Sequence, residues 1–279
     1  MPVPFFAAFA FLFGLCIGSF LNVVAWRAPR GGSIVSPPSA CPCCGGRIAW
    51  FDNVPVLSWL LLGARCRSCG CRISFRYPLG ELATGLLFLG AALSDGFSLQ
   101  FLSDAVFLSL LILTVQTDLV HWIVLDEVSL GGAAAGVALS FFRSGLNPLE
   151  SAGAAAGGFL FFLMIRLLSL LVLRLRPGYV LPPEGYEGEE EEFTGGMGWG
   201  DVKLAACMGA FLGPGPTVVA FFVAFLTGAI TGVLVTLVGR RSRRVPIPFG
   251  PFMALGGAVA VFAGAGIWEA YLSMTGLGL

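Results

Sequence analysis

Runs of apolar residues long enough to cross a lipid bilayer recur along this chain and restrict it to very few folds. Inside hydrocarbon every backbone N–H and C=O must find a partner within the protein, which leaves helices or a closed barrel. Continuous apolar runs of this kind are the helical signature. Spans are expected near 4–25, 81–95, 104–118, 127–142, 151–173, 202–214, 216–238 and 250–272. Composition agrees: of 279 residues, 57% are hydrophobic and 11% charged, with a mean hydropathy of +0.88. A soluble domain carries about 25% charged residues. The expected fold is an all-α polytopic membrane protein of about eight transmembrane helices, carrying one zinc-ribbon-like insertion near its N-terminus. The segments at 81–95 and 202–214 are short for a hydrocarbon core of about 30 Å, which wants roughly 20 helical residues. Only Met-Pro-Val-Pro precedes the first run. Without a cationic n-region, that run is expected to be a retained span rather than a cleaved signal.

The arginines set the expected orientation. Arg27, Arg30, Arg47, Arg65, Arg67, Arg72 and Arg76 fall in loop 26–80, Arg174 and Arg176 in loop 174–200, and Arg240, Arg241, Arg243 and Arg244 in loop 239–249. An eight-span arrangement puts all three loops on one side and leaves only Arg143 on the other. Positive charge stays in the cytoplasm, so those loops are expected there and both termini outside. The expected domains are a first transmembrane helix at 1–25, a cytoplasmic cysteine module at 26–80, and a membrane domain at 81–279 whose acidic loop is 174–200. The run Glu189 to Glu192 in that loop reads as a solvated segment. Asn22, polar inside the first apolar run, is expected to hydrogen-bond across helices.

Loop 26–80 contains two C-x-x-C pairs, Cys41/Cys44 and Cys66/Cys69, with 21 residues between them and a glycine after each, Gly45 and Gly70. Two such knuckles bring four thiolates into the tetrahedron that zinc prefers. The alternative, a pair of disulfides, conflicts with a reducing compartment. Four protein ligands leave no open position, so the expected zinc is structural. Cys43 and Cys71 are spare thiols, and Cys16 and Cys207 are apolar core residues.

The chemistry-bearing candidates are two acids at the ends of apolar runs. Asp118 closes LSLLILTVQT, and Asp201 follows the glycine-rich run GGMGWG. If their helices pack, the carboxyls meet at one depth, cannot both ionise cheaply, and share a proton. That is aspartic-protease chemistry: one carboxylate activates water while the other donates to the scissile carbonyl. The competing reading is that each acid caps a helix, with Asp201 as an N-cap. Asp126 and Glu127 compete with Asp118 as the partner but open the next apolar run, which favours capping. Lys203 either lowers the pKa of Asp201 or snorkels to the interface. His121, the single histidine, lies beside Trp122 without a nucleophile motif.

Taken together and in this order, GSFLNVVAWRAPR at 18–30, the paired knuckles, DNVPVLSWLLLGARCRSCG at 52–70, RYPLGELATG at 76–85 and GMGWGDVKL at 196–204 resemble the bacterial type IV prepilin peptidases over nearly the whole chain. The resemblance implies cleavage of the basic leader of prepilins and of type II secretion pseudopilins, after a glycine on the cytoplasmic face of the inner membrane. It further implies methylation of the new N-terminal amine, usually of Phe, with S-adenosylmethionine. By the same resemblance the catalytic pair is Asp118 and Asp201, Asp126 is noncatalytic, and Cys41, Cys44, Cys66 and Cys69 hold zinc. Glu81 is a candidate for holding the substrate amine, and Gly198, Gly200 and Lys203 for receiving the substrate chain. The implied partners are those substrates and the lipid bilayer, with no nucleic acid. Two departures stand out: Val124-Leu125-Asp126 replaces the usual Leu-Pro-Asp, which implies a looser turn, and the acidic loop is longer than usual. No glycine-rich nucleotide loop places the methyl donor.

Two further readings compete. An intramembrane aspartic protease of the presenilin type would cut within a helix, and the cysteine module argues against it. A transporter or assembly scaffold would use the acids as a proton relay and the module as a dock.

Overall fold

The computed structural model describes residues 3–175, 197–238 and 247–276. Among them regular structure is helical, apart from two isolated β-bridges, Ala40 to Arg47 and Arg65 to Arg72. Loops 174–200 and 239–249, with the run Glu189 to Glu192 and the four arginines Arg240 to Arg244, fall largely outside the described residues. The chain forms two compact units, Met1–Gln116 and Thr117–Leu279.

The first unit is built on α1 (Val3–Arg27), the five-residue α2 (Leu57–Leu61), α3 (Arg76–Asp95) and most of α4 (Leu99–His121). The buried positions of α1, Phe6, Ala7, Ala10, Gly14, Gly18, Leu21 and Ala25, recur every three or four residues and form a stripe against α3. The stripe is small in its middle, where the helices nearly touch: a Cβ on Gly18 would lie 2.7 Å from the Glu81 Cα. Asn22 bridges helices as expected, accepting from the Gln116 amide at 2.9 Å and donating to the Tyr77 carbonyl at 3.1 Å.

The second unit contains α5 (Asp126–Ser140), α6 (Pro148–Leu175), α7 (Trp199–Leu212), α8 (Pro214–Val238) and α9 (Gly250–Thr275). It is organised around α7, whose residues Val202 and Leu204 to Phe211 are all buried. On α5, Val128, Gly132, Gly136 and Ser140 lie four residues apart and face it. On α6, Ala154 backs onto Gly209 and Gly158 onto Ala205. Each step of four up α6 thus meets a step of four down α7, which makes the pair antiparallel with backbones in close approach.

Each of the eight expected spans is a helix, but six of them, not eight, are long and apolar enough to cross a membrane among the described residues. The other two, α5 and α7, have 15 and 14 residues, or roughly 22 Å at about 1.5 Å per residue. Hydropathy counted them because it registers burial without distinguishing lipid from protein. A helix apolar on all sides, such as α7, is equally at home inside a bundle.

Candidate functional site

Asp118 lies in the last turn of α4, in the part belonging to the second unit, and is 6% exposed. One of its carboxylate oxygens accepts the Gly250 backbone N–H at 2.9 Å. Gly250 is the first residue of α9, so this N–H has no partner within its own helix. Asp201 stands in the first turn of α7, whose N-cap is Gly198 rather than Asp201 itself. Its carboxylate reaches back to accept the Gly198 backbone N–H, the geometry of the acidic half of a capping box. The carboxyls of Asp118 and Asp201 lie close enough for the charge on one to act on the other. Bonds to helix starts and proximity of the two acids, set against each other by the sequence, are compatible. Each acid gives one acceptor to an orphan helix N–H and has further lone pairs for chemistry.

The neighbouring glycines have distinct tasks. A Cβ on Gly200 would stand 2.8 Å from the Cβ of Val124, so the absence of a side chain lets the α4–α5 connection lie against the start of α7. Trp122 takes a left-handed φ of 58° to turn the chain out of α4, a conformation costly for a bulky residue. The connection through Val124-Leu125-Asp126 is thus packed against α7 at Val124. Lys203 pairs with the Asp126 carboxylate. This gives Asp126 a partner that the sequence reading did not anticipate.

Arg166 escaped the sequence reading. It comes from α6, donates to the Met197 carbonyl, lies 4.7 Å from the centroid of the Trp199 ring, and acts with its charge on Asp201. The available signal was a lone cation inside an apolar run, FLMIRLLS, which is costly without a partner.

Glu81, in the first unit, is buried, and its carboxylate accepts the Val56 N–H at 2.7 Å and a hydrogen bond from the Ser19 side chain. Val56 has a φ of 60° at the start of α2, so Glu81 braces a strained turn of the cysteine module. Beside it, Ser19, Phe20, Val23 and Arg27 of α1 form one wall of a cavity of about 360 Å³, and Ile34 and Asn53 help form the other.

In the module the two knuckles repeat one hydrogen-bond pattern. Gly45 N–H donates to the Cys41 carbonyl and Gly70 N–H to that of Cys66, each at 2.9 Å, with both glycines at positive φ. The sulfurs of Cys41, Cys44, Cys66 and Cys69 all lie within 4.8 Å of one another, and those of Cys41 and Cys69 are 3.9 Å apart. A tetrahedron with zinc–sulfur bonds of about 2.3 Å has sulfurs about 3.8 Å apart, so this donor set fits one metal ion. Backbone N–H groups of Cys44 and Cys43 pull the Cys41 thiol down to about 7, while burial and the other three sulfurs push Cys69 up to about 11, so without a metal the thiols share their protons unevenly. The two spare thiols are not independent: Cys43 and Cys71 are joined as a disulfide, their Cα atoms 6.6 Å apart. Asp52 ties the module together through Arg67, with Nε–Oδ2 at 2.8 Å and Nη2–Oδ1 at 2.6 Å, and this pairing holds the Asp52 carboxyl below its usual range.

Comparison with known proteins yields two family matches. The Bacterial Peptidase A24 N-terminal domain matches residues 12–94, and the Type IV leader peptidase family matches residues 105–233. The prepilin leader peptidase/N-methyltransferase of Myxococcus xanthus is 41% identical over 241 residues, which are 86% of this chain and 66% of that protein. The chain thus spans slightly under two thirds of that relative's length. The protein of the same name from Bacillus subtilis is 35% identical over 270 residues, 95% of this chain and 97% of that protein. The one from Burkholderia pseudomallei is 33% identical over 289 residues, 95% of this chain and 87% of that protein. No solved structure matches the chain.

Proposed function

The chain belongs to the type IV leader peptidase family, and from that premise we propose that it is a bifunctional membrane enzyme, cleaving prepilin leaders and then methylating the new N-terminus. The observation that carries the peptidase half is the meeting of Asp118 and Asp201, each held by the N–H of a helix start. Sharing one proton, the pair supplies both acid and base. The ionised carboxylate takes a proton from water, whose oxygen adds to the scissile carbonyl carbon. The protonated carboxyl donates to the carbonyl oxygen, and collapse of the tetrahedral intermediate delivers a proton to the leaving amine. No side-chain nucleophile is needed. Gly198, the N-cap of α7, leaves room for an extended substrate chain, whereas the space at Gly200 is taken by Val124. Two spans, α3 and α4, separate the seven arginines of loop 26–80 from Asp118. The positive-inside rule thus puts that acid, and the pair with it, at the cytoplasmic face of the inner membrane, where the junction of a basic leader and an apolar helix lies. Prepilins and type II secretion pseudopilins both have that form.

In the module, residues 26–80, Cys41, Cys44, Cys66 and Cys69 hold a structural zinc ion that cross-links the knuckles. The methyl donor is S-adenosylmethionine, which supplies an activated methyl group to the freed amine. The cavity of the first unit suits such a ligand in size, since ligand pockets start near 300 Å³. Arg27 would meet a carboxylate there, while Phe20, Val23 and Ile34 form an apolar wall. Bonded to Val56 and Ser19, Glu81 fixes the border of this cavity and keeps lone pairs with which to hold the amine.

The test is to incubate the purified protein in lipid with a leader-bearing prepilin and read the products by intact mass. Loss of the leader with wild type, but not with Asp118→Asn or Asp201→Asn, is expected. Addition of one methyl only with S-adenosylmethionine is expected as well. Full cleavage by Asp201→Asn would refute the pair and return weight to the scaffold reading.

A further inference from the structure

Arg166 lies in the stretch Pro148–Val172, long and apolar enough to span a membrane, where Glu150 in the first turn is the other charged residue. An arginine within such a stretch is rare unless it faces the bundle and is paired. One that merely snorkels sends its head to water or lipid phosphate. Here all the assigned interactions of the guanidinium converge on one short segment. It donates to the carbonyl of Met197, stacks 4.7 Å from the Trp199 ring centroid, and acts on the charge of Asp201. The antiparallel register places it there. Ala154 meets Gly209 and Gly158 meets Ala205, so eight residues beyond Gly158 the α6 chain arrives eight residues before Ala205, at Met197.

Resting on the acid-pair reading above, we propose that Arg166 is a positioning residue for peptide cleavage. It clamps the turn Met197–Asp201 and serves as counter-ion to the single negative charge that Asp118 and Asp201 carry when they share one proton. Among the described residues, the surroundings leave it that task. Lys203 is engaged with Asp126, and Glu127 opens α5 beside Asp126. The helix α8 has no charged residue, and α9 has only Glu269, far from its start at Gly250. His121, in the last turn of α4, is buried and has interactions of its own. A planar fork both stacks and donates, which an ammonium cannot do, so charge and clamp can be separated by substitution.

Full-length Arg166→Met, Arg166→Lys, Trp199→Leu and Asp201→Asn are compared with wild type in lipid, measuring kcat, KM and the pH profile of leader cleavage. Removing the cation makes the shared negative charge harder to form. Arg166→Met should therefore lose about 10- to 100-fold in kcat, with its acid limb moved up by about one pH unit. Arg166→Lys and Trp199→Leu should lose kcat with the acid limb in place, because each keeps a positive charge. If Arg166→Met does not fold, Arg166→Lys still decides: wild-type kcat in that variant removes the clamp. A pH profile of Arg166→Met superposable on wild type, with Asp201→Asn inactive, overturns the proposal alone. Cleavage by Asp201→Asn overturns the acid pair and the proposal with it.

Discussion

The α6–α7 contact makes a sharp prediction because adjacent glycines on α6 differ in one respect. A Cβ on Gly158 would lie 2.6 Å from the Ala205 carbonyl oxygen and 3.2 Å from its carbon, whereas a Cβ on Gly157 meets nothing within 4 Å. Both substitutions to alanine bring the same gain in helix propensity, about 0.5–1 kcal/mol. Only Gly158→Ala drives a methyl into a neighbouring backbone, and a backbone cannot swing aside as a side chain does. To restore 3.0 Å the helices must part by 0.4 Å, and to restore an ordinary 3.4 Å by 0.8 Å. Overpacking of this kind costs about 1–3 kcal/mol, offsetting the propensity gain. The displacement also reaches the acids. Asp201 is one turn from Ala205, and Arg166 lies eight residues along α6 from Gly158, about 12 Å.

A misplacement of 1 Å costs up to about 100-fold in rate. Scaling the logarithm of the rate with distance, Gly158→Ala should cleave about 6- to 40-fold more slowly than wild type, a barrier increase of about 1–2 kcal/mol. Gly157→Ala should stay within about twofold of wild type and melt at the same temperature or slightly higher. The assay is single-turnover cleavage of a leader-bearing prepilin in lipid, with thermal unfolding measured on the same samples. If Gly158→Ala cleaves within threefold of Gly157→Ala, backbone proximity of α6 and α7 does not position the acids, and this chain of reasoning fails.

Three further outcomes are expected. Wild type should purify with one zinc ion by metal analysis and Cys66→Ser without it, and the variant's module should be cut faster by protease, since three ligands do not close a structural site; equal metal content would refute the four-sulfur assignment. Val23→Phe should fill the cavity of the first unit, reducing methylation at least tenfold while leader cleavage stays within about twofold. Equal losses of both activities would separate the cavity from methyl transfer. Gly200→Ala should lower cleavage about tenfold through its clash with Val124, and Val124→Gly in the same chain should restore much of it, because the clash is with the Val124 Cβ itself.

What could be read ahead of the structure was what short-range pattern encodes. Helices of membrane character appear as long apolar runs, and a C-x-x-C followed by glycine brings its own turn, so eight helix positions and four gathered sulfurs were legible. Burial of α7 was not, because Val202 to Phe211 read the same to hydropathy whether lipid or protein surrounds them. Nor could spacing say which N–H would meet Asp118: Gly250 lies 132 residues away, and only the packing of α9 brings its first turn to α4. The two acids stood out because a carboxyl beside an apolar run is expensive on any arrangement. By the same criterion Arg166 was equally visible, since a guanidinium in FLMIRLLS is no cheaper. The sequence withheld its partner, which the α6–α7 register supplies. Unpaired cost can therefore be read from a membrane sequence residue by residue, while the pairing that relieves it is a property of the helix contacts. In this unit those contacts are set by Gly158 and Gly209, two residues with no side chain to attract notice.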